Sequence, residues 1–282
     1  MTKESSALRV CVVGLGLIGG SLAWQLKTAG VFVKGFARNP ETLQKAQERG
    51  MISESSVELA VAVTEVDLVV VALPIESIPE MVHKIDLALT QPTVVMDVGS
   101  VKTFIQEQVG ALPLTNAIFV GGHPMAGSEK IGIDNAVQTL FVDRPFVVSY
   151  PSQEIKSKAK KVVTQLVETL QARYVEMTAQ DHDERVAVIS HLPYLVSVLV
   201  YRRYLEESQK LSEVASTGFR DVTRIAHSDP LWGVTVAQHN SKNLVREIDK
   251  FIQELTEVKQ EITSHSRQDL LNRFNVDGVG MT

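Results

Sequence analysis

The 282 residues are expected to form two domains of different class, an α/β domain built on a parallel sheet over 1–178 and an all-α domain over 179–282. Up to about Thr178, short β-branched runs alternate with helical patterns, as strands joined by crossover helices do. Beyond Asp181 the strand-like runs stop and long helical patterns take over, so the boundary falls at 178–181 although no Pro/Gly/Ser-rich linker marks it. The expected strands are 8–13, 32–36, 67–73, 93–97, 118–121, 146–149 and 174–177. The expected helices of the second domain are 181–206, 211–217 with its continuation, and 231–264. The last is long for a globular helix, and its apolar positions need a partner. A helix-exchanging homodimer is the economical answer, and packing within one chain is the alternative. Residues 275–282 read as a loose tail.

Composition narrows the function classes. With 44% hydrophobic and 22% charged residues, a sizeable core is available. A net charge of −5 without a Lys/Arg run argues against nucleic acid, and a small anionic ligand would need a local cationic pocket. The single Cys11 lies in an apolar run, which excludes a disulfide within the chain and reads as a buried, inert thiol. The N-terminus lacks an apolar signal core, and the apolar runs near 66–75 and 192–201 fall short of the roughly 20 residues of a membrane helix. A cytoplasmic protein with no membrane partner is expected.

Gly14-Leu15-Gly16-Leu17-Ile18-Gly19 follows the first strand and opens the helical run 21–29. In that position the glycines let the backbone approach a pyrophosphate at a helix N-terminus, as in a Rossmann-type dinucleotide-binding domain. A glycine-rich turn without a ligand is the alternative. NAD-binding members of this fold usually carry an acid about 20 residues on. Here the second strand ends in Ala37, Arg38 and Asn39, with no Asp or Glu between Gly20 and Pro40. An uncharged residue followed by a guanidinium suits a 2′-phosphate, so NADP is expected over NAD, unless Arg38 is only a solvated charge. Leu73 and Pro74 are the remaining expected cofactor contacts.

Two further motifs sit at carboxyl ends of strands, where open α/β sheets bind ligands. Ser100, in Asp97-Val98-Gly99-Ser100-Val101-Lys102, reads either as a site residue or as the N-cap of the next helix. His123, in Gly121-Gly122-His123-Pro124-Met125-Ala126-Gly127-Ser128-Glu129, can accept a hydroxyl proton as the carbon gives up hydride. Metal ligation by His182, Asp183 and His191 is not expected: on a regular helix the two histidines point to opposite faces, and Asp183 lies about 12 Å from His191 along the axis.

Together with Ser190-His191-Leu192-Pro193 and Gly218-Phe219-Arg220-Asp221-Val222-Thr223-Arg224, these motifs resemble the prephenate/arogenate dehydrogenase family of tyrosine biosynthesis. The resemblance implies that His123 is the catalytic base and that Ser100 orients it and the substrate hydroxyl. It further implies that Arg224 binds a substrate carboxylate, and that Ser128 and Glu129 lie near the substrate side chain or the entrance. His191 is either a substrate-binding group or a buried histidine satisfied by a neighbour such as Asp183. Many prephenate-using members have a His directly after Ser-His-Leu-Pro, where this chain has Tyr194. A neutral phenol tolerates an ammonium better than a cation does, which favours arogenate. Two alternatives remain, a hydroxyacid dehydrogenase or imine reductase of similar plan and a non-catalytic NADPH-binding regulator.

Overall fold

The computed structural model describes residues 8–275. Its strands are β1 (Arg9–Val13), β2 (Phe32–Phe36), β3 (Glu54–Ser56), β4 (Leu68–Val71), β5 (Thr93–Asp97), β6 (Ala117–Pro124), β7 (Pro145–Ser149) and β8 (Arg173–Glu176). They form one sheet in the order β3-β2-β1-β4-β5-β6-β7-β8. The first-domain helices are α1 (Leu17–Thr28), α2 (Pro40–Glu48), α3 (Leu59–Ala62), α4 (Ile78–Ala88), α5 (Thr103–Gly110) and α6 (Gln153–Thr169). Alternate strand residues feed two cores. Val10, Val12, Val70 and Met96 pack with α1 and α6 on one face, and Cys11, Val13, Val69 and Val95 pack with α4 and α5 on the other. Burial on both faces explains why these strands read as nearly unbroken apolar runs. Burial also pushes the Cys11 thiol up to about 12, against a weaker opposing effect of Lys34, so the thiol is inert.

The sheet departs from the expectation in two places. The short edge strand β3 was not expected, because Glu54-Ser55-Ser56 carries no apolar run. In addition, β7 runs antiparallel to β6, so the sheet is mixed. The segment between them holds only one short 3₁₀ turn, Ile133–Asn135, and without a crossover helix the chain can return in the opposite direction. That pairing extends β6 through His123, which lies opposite Val147 in a strand and not in a free loop.

The second domain is helical: α7 (Ala179–Val186), α8 (Leu192–Glu206), α9 (Ser208–Leu211), α10 (Thr217–Thr223), α11 (Pro230–His239), α12 (Ser241–Thr263) and α13 (Arg267–Phe274). A π-helical turn, Ala187–His191, joins α7 to α8, just before Pro193. This wider turn shifts the helical phase, so the regular-helix argument that set His182 and His191 on opposite faces does not hold, and both rings are buried. The helix expected over 211–217 is mostly the break between α9 and α10, and the one expected over 231–264 is broken at Asn240. Most of the expected tail lies outside the described residues. The continuous helix Ala179–Glu206 is 28 residues long with a mean hydropathy of 1.2 in its most apolar stretch, long and apolar enough to cross a membrane by that measure alone. The apolar run at 192–201 is one part of this helix.

Candidate active site

The carboxyl ends of β5 and β6 are tied together by a buried ion pair. The Asp97 carboxylate accepts from Gly99 N at 2.8 Å and pairs with the Lys102 ammonium, which also donates to the Gly122 carbonyl at 2.7 Å. Burial pushes Asp97 up and Lys102 down, and the attraction between them opposes both shifts. A Cβ at Gly122 would come within 2.6 Å of the Asp97 carbonyl oxygen, so only glycine allows this approach beside His123.

The second domain enters through α7. The Asp183 carboxylate accepts from Lys102 N and Thr103 N, both at 2.8 Å, and so caps α5 from another domain. Ser100 is therefore not the cap of that helix. Burial pushes Asp183 up, but the hydrogen bonds from His182, Lys102 and Thr103 outweigh it and hold the carboxyl below its ordinary range. An ionised carboxylate only accepts, so His182, whose Nδ1 is 2.7 Å from Asp183 Oδ1, carries its proton there. Its Nε2 then accepts from His123 Nδ1 at 2.7 Å. The His123 proton is thereby assigned to Nδ1, which leaves a lone pair on Nε2. Burial, then the neighbouring His182, Lys102 and His191, hold His123 well below 6.5 and neutral at physiological pH, although part of the residue stays exposed. The arrangement is a carboxylate-histidine-histidine chain that ends in a base.

The structure places the other expected residues differently. Ser100 Oγ accepts from Trp232 Nε1 on α11 at 3.0 Å, and His182, not Ser100, is the described partner of His123. Tyr194 stands edge-on to the Trp232 ring, with centroids 5.0 Å apart, and lies over Gly233, where a Cβ would meet the phenol at 2.5 Å. Arg224 is 62% exposed and pairs with Glu129 at 3.3 Å, joining the helical domain to the loop after β6. Ser128 is exposed and accepts from Lys130 N in a local turn. His191 is buried against Asn240, and not against the Asp183 carboxylate. Sequence reasoning considered His182 only as a metal ligand and Asp183 as that or as a partner of His191, and it missed Trp232 and Asn240. The adjacent His-Asp pair was the one available signal for the chain.

The glycine motif has the shape a dinucleotide needs. Gly14 has φ +91°, and a Cβ there would meet the Ala72 carbonyl at 2.4 Å, while one at Gly19 would meet the Gly14 carbonyl at 1.9 Å. Gly16 has open space where its Cβ would be, and no side chain caps α1, so the N–H groups of its first turn remain for a pyrophosphate. The Leu15 and Leu17 side chains are buried, so only their backbones can take part. Arg38 is exposed at the end of β2, and Asn39 Oδ1 caps α2 by accepting from Glu41 N. Leu73 packs over Gly14, and exposed Pro74 opens the turn before α4.

The family model for the prephenate dehydrogenase nucleotide-binding domain matches residues 22–176, and that for the prephenate dehydrogenase dimerization domain matches 178–276. The chain belongs to the prephenate dehydrogenase family. Members of this oxidoreductase family include prephenate dehydrogenase of Lactococcus lactis, 33% identical, with 94% of this chain matching 74% of that protein. Cyclohexadienyl dehydrogenase of Zymomonas mobilis is 28% identical over 94% of this chain and 92% of its own length. Among solved structures, arogenate dehydrogenase of Synechocystis superposes with TM-score 0.79 at 32% identity, covering 94% of this chain and 95% of its own. Prephenate dehydrogenase of A. aeolicus in complex with hydroxyphenyl propionate and NAD+ gives TM-score 0.80 at 28% identity, covering 96% of each chain. Like the family, this chain is an oxidoreductase of tyrosine biosynthesis that uses a pyridine nucleotide.

Proposed function

We propose that this chain catalyses the NADP-dependent oxidative decarboxylation of arogenate to tyrosine, with prephenate, giving 4-hydroxyphenylpyruvate, as the alternative substrate. The Asp183-His182-His123 chain carries this reading, because it orients one neutral base beside a dinucleotide fold. Residues 14–19 would hold the pyrophosphate and Arg38 the 2′-phosphate, and the bound nicotinamide supplies the hydride acceptor. His123 Nε2 accepts the proton of the ring hydroxyl, and the charge it gains is stabilised through His182 by Asp183. Ser100, held by Trp232, orients the hydroxyl. Arg224 exchanges Glu129 for a substrate carboxylate, with Ser128 and Glu129 at the entrance. Tyr194 supports arogenate, because burial and then Asp229 hold its phenol protonated and uncharged. Loss of CO2 sends its bonding pair into the ring, and the resulting phenolate oxygen takes up a proton.

The assembly belongs to the same proposal. Val245, Ile252, Leu255 and Ile262 form an exposed stripe on α12, and Val188, Leu199 and Leu205 are exposed on the 179–206 helix. Apolar faces of this kind are what a second copy would cover, which supports a homodimer formed through residues 179–282. The test is formation of reduced cofactor by purified protein offered arogenate and prephenate, each with NADP and with NAD. Turnover of arogenate with NADP is expected. Turnover of prephenate alone would overturn the Tyr194 argument, and no turnover of either would overturn the reading.

A further inference from the structure

One buried histidine is left over once the base and its chain are assigned. His191 lies on the π turn and is 1% exposed. Its Nδ1 is 3.2 Å from Asn240 Nδ2, which also donates to the Asp183 carbonyl at 2.7 Å, while Asn240 Oδ1 accepts from Asn243 Nδ2 at 2.8 Å. These contacts orient the Asn240 amide. An amide nitrogen only donates, so His191 Nδ1 must accept and its proton sits on Nε2. That Nε2 is buried and has no hydrogen-bond partner among the described residues. The ring stands edge-on to Trp232, with centroids 6.0 Å apart, on the side chain that also holds Ser100. His191 therefore holds an unused donor near the base, close enough for its charge to act on His123, and burial lowers its pKa to about 4, so the donor is uncharged.

We infer that His191 Nε2–H binds the substrate's ring carboxylate, the one lost as CO2, and that Asn240 is the positioning residue that sets its tautomer. The assignment rests on the arogenate/prephenate reading of the cleft. The chemistry separates the two carboxylates of such a substrate. The side-chain carboxylate keeps its charge throughout and suits the Arg224 guanidinium. The ring carboxylate must give its electron pair to the ring, and a cation beside it would stabilise the ground state over the transition state. A neutral, oriented N–H holds the group with less of that penalty.

The experiment compares His191→Gln, whose amide nitrogen reproduces the Nε2 donor, with His191→Leu, which has none, and with Asn240→Asp, whose carboxylate draws the His191 proton to Nδ1. With wild-type turnover as reference, His191→Leu and Asn240→Asp are expected to lose about tenfold or more in kcat/KM, and His191→Gln to stay within about threefold. Binding of hydroxyphenyl propionate, which lacks the ring carboxylate, should be unchanged in all three by calorimetry with cofactor present. ¹⁵N NMR of the wild type should show the His191 proton on Nε2 and its transfer to Nδ1 in Asn240→Asp. Equal activity of His191→Leu and wild type would leave only a buried water for the donor and overturn the assignment, as would parallel weakening of hydroxyphenyl propionate or a proton found on Nδ1 in the wild type. A wild-type protein inert to both substrates overturns the parent reading instead, and is recognised by the absence of turnover while the Nε2–H tautomer persists.

Discussion

Asp183→Asn tests the active-site chain most directly. Asp183 Oδ1 accepts from Lys102 N and His182 Nδ1, and Oδ2 accepts from Thr103 N. An asparagine keeps one of these oxygens and replaces the other with a donor. If its nitrogen faces Thr103, that half-buried amide loses its partner, at about 1 kcal/mol of stability, and the carboxylate charge behind His182 is gone. If its nitrogen faces His182, the proton of that ring moves to Nε2. His123 Nδ1 must then accept, His123 Nε2 carries the proton, and the base cannot act. Loss of one charge-assisted hydrogen bond is worth about 1.5–3 kcal/mol, and the analogous tautomer error in a serine-protease triad costs about 10⁴-fold. One ring further from the reacting proton, kcat/KM is expected to fall by about 10²-fold, with cofactor affinity unchanged. Steady-state kinetics, calorimetric NADP binding and thermal unfolding measure the three quantities. A folded variant that keeps kcat/KM within about threefold of wild type would refute the chain, and a loss matched by weaker cofactor binding would make Asp183 merely structural.

Four further outcomes follow from other parts of the structure. Arg38→Ala should raise the KM for NADP by about tenfold and leave that for NAD unchanged; a parallel change in both would return Arg38 to a solvated charge. Lys102→Met leaves a buried carboxylate unpaired and should cost about 3–5 kcal/mol in denaturant unfolding, whereas a loss under 1 kcal/mol would argue against the pair. In acid, the unfolded chain protonates His191 near its ordinary 6.5 and the folded chain only at about 4, so stability is full above 6.5 and falls between these values. The gap corresponds to about 3 kcal/mol, which His191→Gln should remove from the pH dependence of unfolding. The kcat/KM profile has the same sign: His123 acts while neutral, so the acid limb should lie below 6.5.

The sequence by itself determined the alternation of strands and helices, the glycine turn, the missing acid at Ala37 and the presence of His123 at a strand end. All of these are set by short-range patterns, since strand and helix periods and tight turns depend on residues a few positions apart. The tertiary structure alone decided that β7 returns antiparallel, that a π turn rotates His191 into the core, and that Trp232 holds Ser100. It also decided that Asp183 caps α5 and polarises His123 through His182. The contacts behind the last three lie 132 residues apart for Trp232 and Ser100, 81 for Asp183 and Lys102, and 59 for His182 and His123. No local periodicity encodes them, because they exist only where one domain packs against the other and buried polar atoms must find partners across the interface.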